Sequence, residues 1–111
     1  MITAYQINKA KWAKLDIFNQ MGNIYSEVGR SFKTQRQGNS KDHEEAVRRT
    51  IVLCDATIHD LIGKKSPKAK EVLRAKEQFV DLAFNSHATV ESMQSLERYF
   101  MQFALAARLN R

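Results

Sequence analysis

Residues 11–32 read KWAKLDIFNQMGNIYSEVGRSF, and their apolar side chains recur at the helical period. Trp12, Leu15, Phe18, Met21, Tyr25, Val28 and Phe32 follow one another at steps of three and four, and Ile17 and Ile24 widen the stripe. Residues so spaced stack on one side of a 3.6-residue turn, so the pattern predicts one face of a long helix. The stripe stops at Gln37-Gly38-Asn39, a glycine ending, which places the first helix over residues 11–37. Gly22 and Gly29 fall inside it, nearly on one face. Each costs about 1 kcal/mol against alanine in a helix interior. The expected compensation at both is close packing against a neighbouring helix or a second chain.

Outward from this segment the same period returns three times. Asn39 or Ser40 caps a second helix over 40–62, whose first turn carries Asp42, Glu44 and Glu45 and whose stripe is Val47, Ile51, Cys54, Ile58 and Leu61, with Gly63 as the stop. Ser66-Pro67 restarts the chain as a third helix over 67–84, with Val72, Leu73, Phe79, Val80 and Ala83 on its stripe. After a break at Asn85–Thr89, the fourth helix over 89–109 carries Met93, Leu96, Phe100, Phe103 and Ala107. No segment alternates with period two, and the loops are short, which makes sequential helices antiparallel neighbours. The expectation is one all-α domain over residues 1–111, an up-and-down antiparallel four-helix bundle. The first and fourth stripes are wider than one core needs. The surplus is either a subunit interface or is absorbed by large core residues.

The chain of 111 residues is 43% apolar, enough for one modest core. No run of about 18 apolar residues is present, so no membrane span is expected. The opening MITAYQINKAKW lacks an apolar signal-peptide core. The single cysteine, Cys54, excludes an internal disulfide and a thiolate metal site. A reducing cytoplasm is the expected setting.

Lys plus Arg number 18 against 12 Asp plus Glu, a net charge of +6 that favours polyanionic partners. An up-and-down order gathers the chain ends and the loop between the second and third helices at one end. Lys9, Lys11, Lys14, Lys64, Lys65, Lys68, Lys70, Arg108 and Arg111 fall there, against Asp16, Asp60 and Glu71. These nine cations are the expected contacts to RNA or DNA phosphates, salt-dependent and weakly sequence-specific. The opposite end carries Arg30, Lys33, Arg36, Lys41, Arg48 and Arg49, offset by Glu27, Asp42, Glu44 and Glu45.

A search for chemistry returns little. His43, His59 and His87 are scattered and no Glu-x-x-His pair exists, so neither a metal nor a cofactor is expected. Cys54 lies on the apolar stripe as an inert thiol. Phosphate-loop, dinucleotide and nucleophile-elbow motifs are missing. Arg36 and His43 have the spacing of the Arg-x(4–6)-His pair of HEPN-type ribonucleases, but they straddle the Gly38-Asn39 break. Three readings stay open: a non-catalytic nucleic-acid-binding accessory protein, an antitoxin-like protein-interaction adaptor with incidental charge, and such a ribonuclease.

Gln20-Met21-Gly22-Asn23-Ile24-Tyr25-Ser26-Glu27-Val28-Gly29-Arg30 resembles the Asn-Ile-(Ala)-Glu-Gly-x region of the S23-like four-helix bundle superfamily. That superfamily holds the ribosomal RNA intervening-sequence proteins and the accessory variability determinant (Avd) proteins of diversity-generating retroelements. Tyr99-Phe100-x-x-Phe103-Ala104-x-Ala106-Ala107-Arg108 is similar to its last helix. The Glu-to-Gly spacing here is one residue longer. The resemblance implies a basic, non-catalytic homo-oligomer, a pentamer, that binds nucleic acid and associates with a reverse transcriptase.

Overall fold

The computed structural model describes residues 6–109. These residues form five helices: α1 (Lys9–Ala13), α2 (Ile17–Gln37), α3 (Ser40–Gly63), α4 (Lys68–Ala83) and α5 (Val90–Leu109). The architecture is all-helical, and among the described residues no helix is long and apolar enough to cross a membrane.

The segment expected as one helix over 11–37 is two. Asp16 is extended at φ −73° and ψ 169°, and its carboxylate accepts the Asn19 backbone N–H at 2.8 Å, starting α2 afresh. Aspartate bonds nearby backbone donors more readily at a helix start than inside one, so the break falls where its side chain is best satisfied. The preceding turn, capped by Asn8, swings Trp12 onto α3, where the indole Nε1 donates to Thr57 Oγ1 at 3.0 Å. Gln20 Nε2 closes the junction by donating to the Trp12 carbonyl at 3.0 Å.

The other boundaries follow the sequence within a residue or two. Gly38 takes the left-handed conformation at φ 70°, and the Gly38 and Asn39 N–H groups reach back to Gln35 and Thr34 carbonyls, satisfying the end of α2. Asn39 Oδ1 then accepts the Asp42 N–H at 3.2 Å to start α3. The expected stop at Gly63 is displaced: Gly63 is still helical, and the left-handed residue is Lys65 at φ 55°. The Ser66 N–H bonds the Leu61 carbonyl at 2.9 Å there, which helps offset the roughly 1–2 kcal/mol that a non-glycine residue costs in this region.

Helix α2 packs against both α3 and α5, α3 also against α4, and α4 meets α5 only thinly. Phe32, Phe79 and Phe100 anchor the core at 0% exposure, with Met21, Ile24 and Val28 beside them. Buried hydroxyls are satisfied by their own helices: Thr50 donates to the Ala46 carbonyl at 2.8 Å and Thr57 to that of Leu53 at 2.9 Å. His43 ties three helices together, its Nδ1 lying 2.9 Å from the Ser31 carbonyl and its Nε2 3.0 Å from that of Ala83. Leu73, expected on the third stripe, is 42% exposed instead.

The two helical glycines part company. A Cβ at Gly22 would sit 3.2 Å from the Cα of Ala104 on α5, whereas one at Gly29 would meet nothing within 4 Å. The expectation of packing against a neighbouring helix is therefore corrected at Gly29, where among the described residues no other helix comes within 4 Å of the added Cβ. Gly22→Val is expected to lower stability by about 1–3 kcal/mol through overpacking against backbone. Gly29→Ala is expected to raise it by about 0.5–1 kcal/mol through helix propensity alone. Urea unfolding of both variants checks the contrast, and shifts of the same sign would refute it.

Candidate nucleic-acid interface

Side-chain packing between helices gathers the basic residues. Trp12 on Thr57 and Gln20 on Asp60 (3.2 Å) lay α1 and the start of α2 beside the C-terminal end of α3. Gly22 against Ala104, Phe18 against Phe103 (centroids 6.3 Å apart) and Tyr99 Oη donating to Glu71 at 2.8 Å bring the latter half of α5 beside the starts of α2 and α4. Lys9, Lys11 and Lys14 on and just after α1 therefore share one end of the molecule with Lys64 and Lys65 of the α3–α4 turn, Lys68 and Lys70 of α4's first turn, and Arg108 near the end of α5. All eight are exposed. Arg111 lies outside the described residues.

The acids at this end are occupied. Asp16 caps α2, bonding the Asn19 backbone and side-chain amides. Glu71 accepts the Tyr99 hydroxyl. Asp60 accepts Gln20 Nε2 and Lys64 Nζ, the latter at 2.9 Å. Lys64 is thus half neutralised, while Lys9, Lys11, Lys14, Lys65, Lys68, Lys70 and Arg108 form no ion pair among the described residues. At the far end Arg30 pairs with Glu27 at 2.9 Å and Arg48 with Glu44 at 2.8 Å.

The aromatic rings at the basic end, Trp12, Phe18, Tyr99 and Phe103, are buried or half-buried. Among the described residues, such a surface offers charge to phosphates and no fully exposed ring for a base to stack on. Lysine, a compact and strongly hydrated point charge, suits that role.

No catalytic constellation assembles among the described residues. Both His43 ring nitrogens are engaged by backbone carbonyls, and the Arg36 guanidinium lies 3.9 Å from Met93 Sδ. His59 and His87 are exposed. No group of three His, Cys, Asp or Glu among the described residues is placed to hold a metal. Burial, with Asp55 adding and Lys76 opposing, pushes the Cys54 thiol up to about 12, so it is protonated and unreactive. Sequence reasoning found the cations but missed Gln20 and the role of Asp60. A lone glutamine on an apolar stripe was the available signal.

Comparison with known protein families, with curated proteins and with solved structures finds no match to this chain.

Burial opposes ionisation of Asp60 most strongly, but the hydrogen bonds from Lys64 and Gln20, with the charges of Lys64 and His59, outweigh it and hold its carboxyl below the usual range. A carboxyl so depressed adds stability above its unfolded value, about 3.9, and loses it as pH falls through the lower folded value. Asp60→Asn is expected to be less stable than the native chain at neutral pH, with the gap closing on acidification below that range. Thermal unfolding across pH reads this directly, and a gap that is constant with pH would contradict it.

Proposed function

We propose that this chain is a non-catalytic accessory protein that binds nucleic acid through its basic end, on an up-and-down four-helix bundle preceded by the short helix α1. The observation that carries the reading is the set of seven cations without ion pairs among the described residues, Lys9, Lys11, Lys14, Lys65, Lys68, Lys70 and Arg108, beside acids already bound within the chain. A +6 chain whose far end is largely compensated concentrates its field on one surface, and such a field attracts polyanions and steers their approach. The protein partner that fits this reading is a reverse transcriptase of a diversity-generating retroelement, on the resemblance of Gln20–Arg30 and Tyr99–Arg108. The buried thiol of Cys54 and the doubly engaged ring of His43 support a non-catalytic role.

Fluorescence anisotropy with a labelled single-stranded RNA and a labelled DNA duplex tests it. The native chain is expected to bind with an affinity that falls steeply with salt. In the triple variant Lys11→Glu, Lys65→Glu, Lys68→Glu, the slope of log affinity against log salt is expected to shrink by roughly 2–3, at about 0.7–0.9 for each phosphate that is no longer neutralised. Lys64 is left intact because a glutamate there would face Asp60 and disturb the fold. The control Lys33→Glu, Lys41→Glu removes exposed cations from the other end and is expected to change the slope little. Equal effects of the two variants, or no binding by the native chain, would remove the basic end from the account.

A further inference from the structure

Helix α1 is anchored through one buried side chain. Five residues are too few for a stable helix on their own, so α1 keeps its form through what it docks on. It packs chiefly on α3, and Trp12 is its buried residue, with Ile7 and Leu15 half-buried to either side. Two bonds fix Trp12: its indole Nε1 donates to Thr57 Oγ1 at 3.0 Å, and its carbonyl accepts Gln20 Nε2 at 3.0 Å. Gln20 is 1% exposed, and turning its amide N–H groups to Trp12 and Asp60 leaves Oε1 buried with no hydrogen-bond partner among the described residues. A buried acceptor without a donor opposes the arrangement that buries it.

Charge opposes the docking as well. Docked, α1 sets Lys9, Lys11 and Lys14 beside Lys64 and Lys65 at the end of α3, where Asp16 is bound to the Asn19 backbone and Asp60 to Lys64 and Gln20. Gathering like charges is unfavourable, and salt screens the repulsion. The sequence meanwhile supports a second arrangement. Trp12, Leu15 and Phe18 keep helical steps across Asp16, whose ψ of 169° is the interruption. A helical Asp16 would continue α1 into α2 and carry its three lysines off α3.

We infer that α1 is a latch, hinged at Asp16 and held by Trp12 on Thr57, which a nucleic-acid strand closes over the end of α3. The inference rests on the phosphate-binding role proposed above for the basic end. A ligand shifts a two-state equilibrium only through unequal affinity for the two forms. Here the inequality lies in the geometry. The docked form offers one strand the cations of α1 and of the α3–α4 turn together, and the released form separates them. Bound phosphates also neutralise the repulsion that favours release. By linkage, whatever weakens the latch weakens the binding of the strand by the same factor. Thr57 and Gln20 are thus positioning residues for the lysines of α1, although both are buried and neither reaches a phosphate.

Trp12 is the chain's single tryptophan, so one indole N–H resonance reports the latch. In the full chain at low salt, its hydrogen exchange is expected to be about tenfold or more faster than that of the Val28 amide in the core of α2. Raising salt without RNA is expected to slow it, and saturating single-stranded RNA at low salt to slow it by about fivefold or more. Indole exchange no faster than that of Val28, or faster at high salt, overturns the latch without any variant being made. RNA that binds by anisotropy and leaves the indole exchange unchanged overturns the latch alone, whereas a chain that binds no RNA overturns the phosphate-binding role itself. Thr57→Val, which removes the acceptor of the indole N–H, is expected to weaken RNA binding by about fivefold or more. The loss caused by Lys11→Glu is expected to be smaller in the Thr57→Val background than in the native one, and additive losses overturn the positioning role.

Discussion

Helix α2 is packed on two sides, and the rest of the structure is arranged to make that possible. Gln20, Met21, Ile24, Val28, Ser31 and Phe32 are each at or below 1% exposure, a stripe too wide for one neighbour to cover. Helix α3 covers one flank and α5 the other, and α5 comes close because Gly22 has no Cβ to hold Ala104 away. Helix α4 reaches this centre chiefly through Phe79, whose ring lies 5.6 Å from that of Phe32, and otherwise rests on α3. The core is therefore lopsided. Its densest packing surrounds α2, and the outer side of the α3–α4 pair keeps half-covered apolar residues.

Much of this was legible in the sequence, and the failures have local causes. The ends of α2, α4 and α5 were readable because Gly38, Pro67 and Thr89 act on the backbone directly. The break at Asp16 was not, because Trp12, Leu15 and Phe18 keep helical spacing straight across it. What makes two helices better than one is a distant partner, Thr57, which receives the indole N–H. Gly22 and Gly29 are alike in spacing and differ only in what lies opposite, which no single sequence states. Lys65 shows the converse, a local backbone bond from Ser66 to Leu61 closing the turn with an ordinary residue in the left-handed conformation, two positions beyond the expected Gly63.

The clustering of lysines at one end was readable from helix order alone, but their effective charge was not. Asp60 is drawn inward by Gln20 and takes Lys64 with it, while Asp16 and Glu71 are used to cap and to tie helices. A carboxylate that already accepts hydrogen bonds within the fold is less free to swing toward a neighbouring lysine. The acids at this end thus serve the fold, and the remaining cations are left to the solvent or to a ligand. At the far end, Glu27 and Glu44 are spent on Arg30 and Arg48 instead, which quenches the field there.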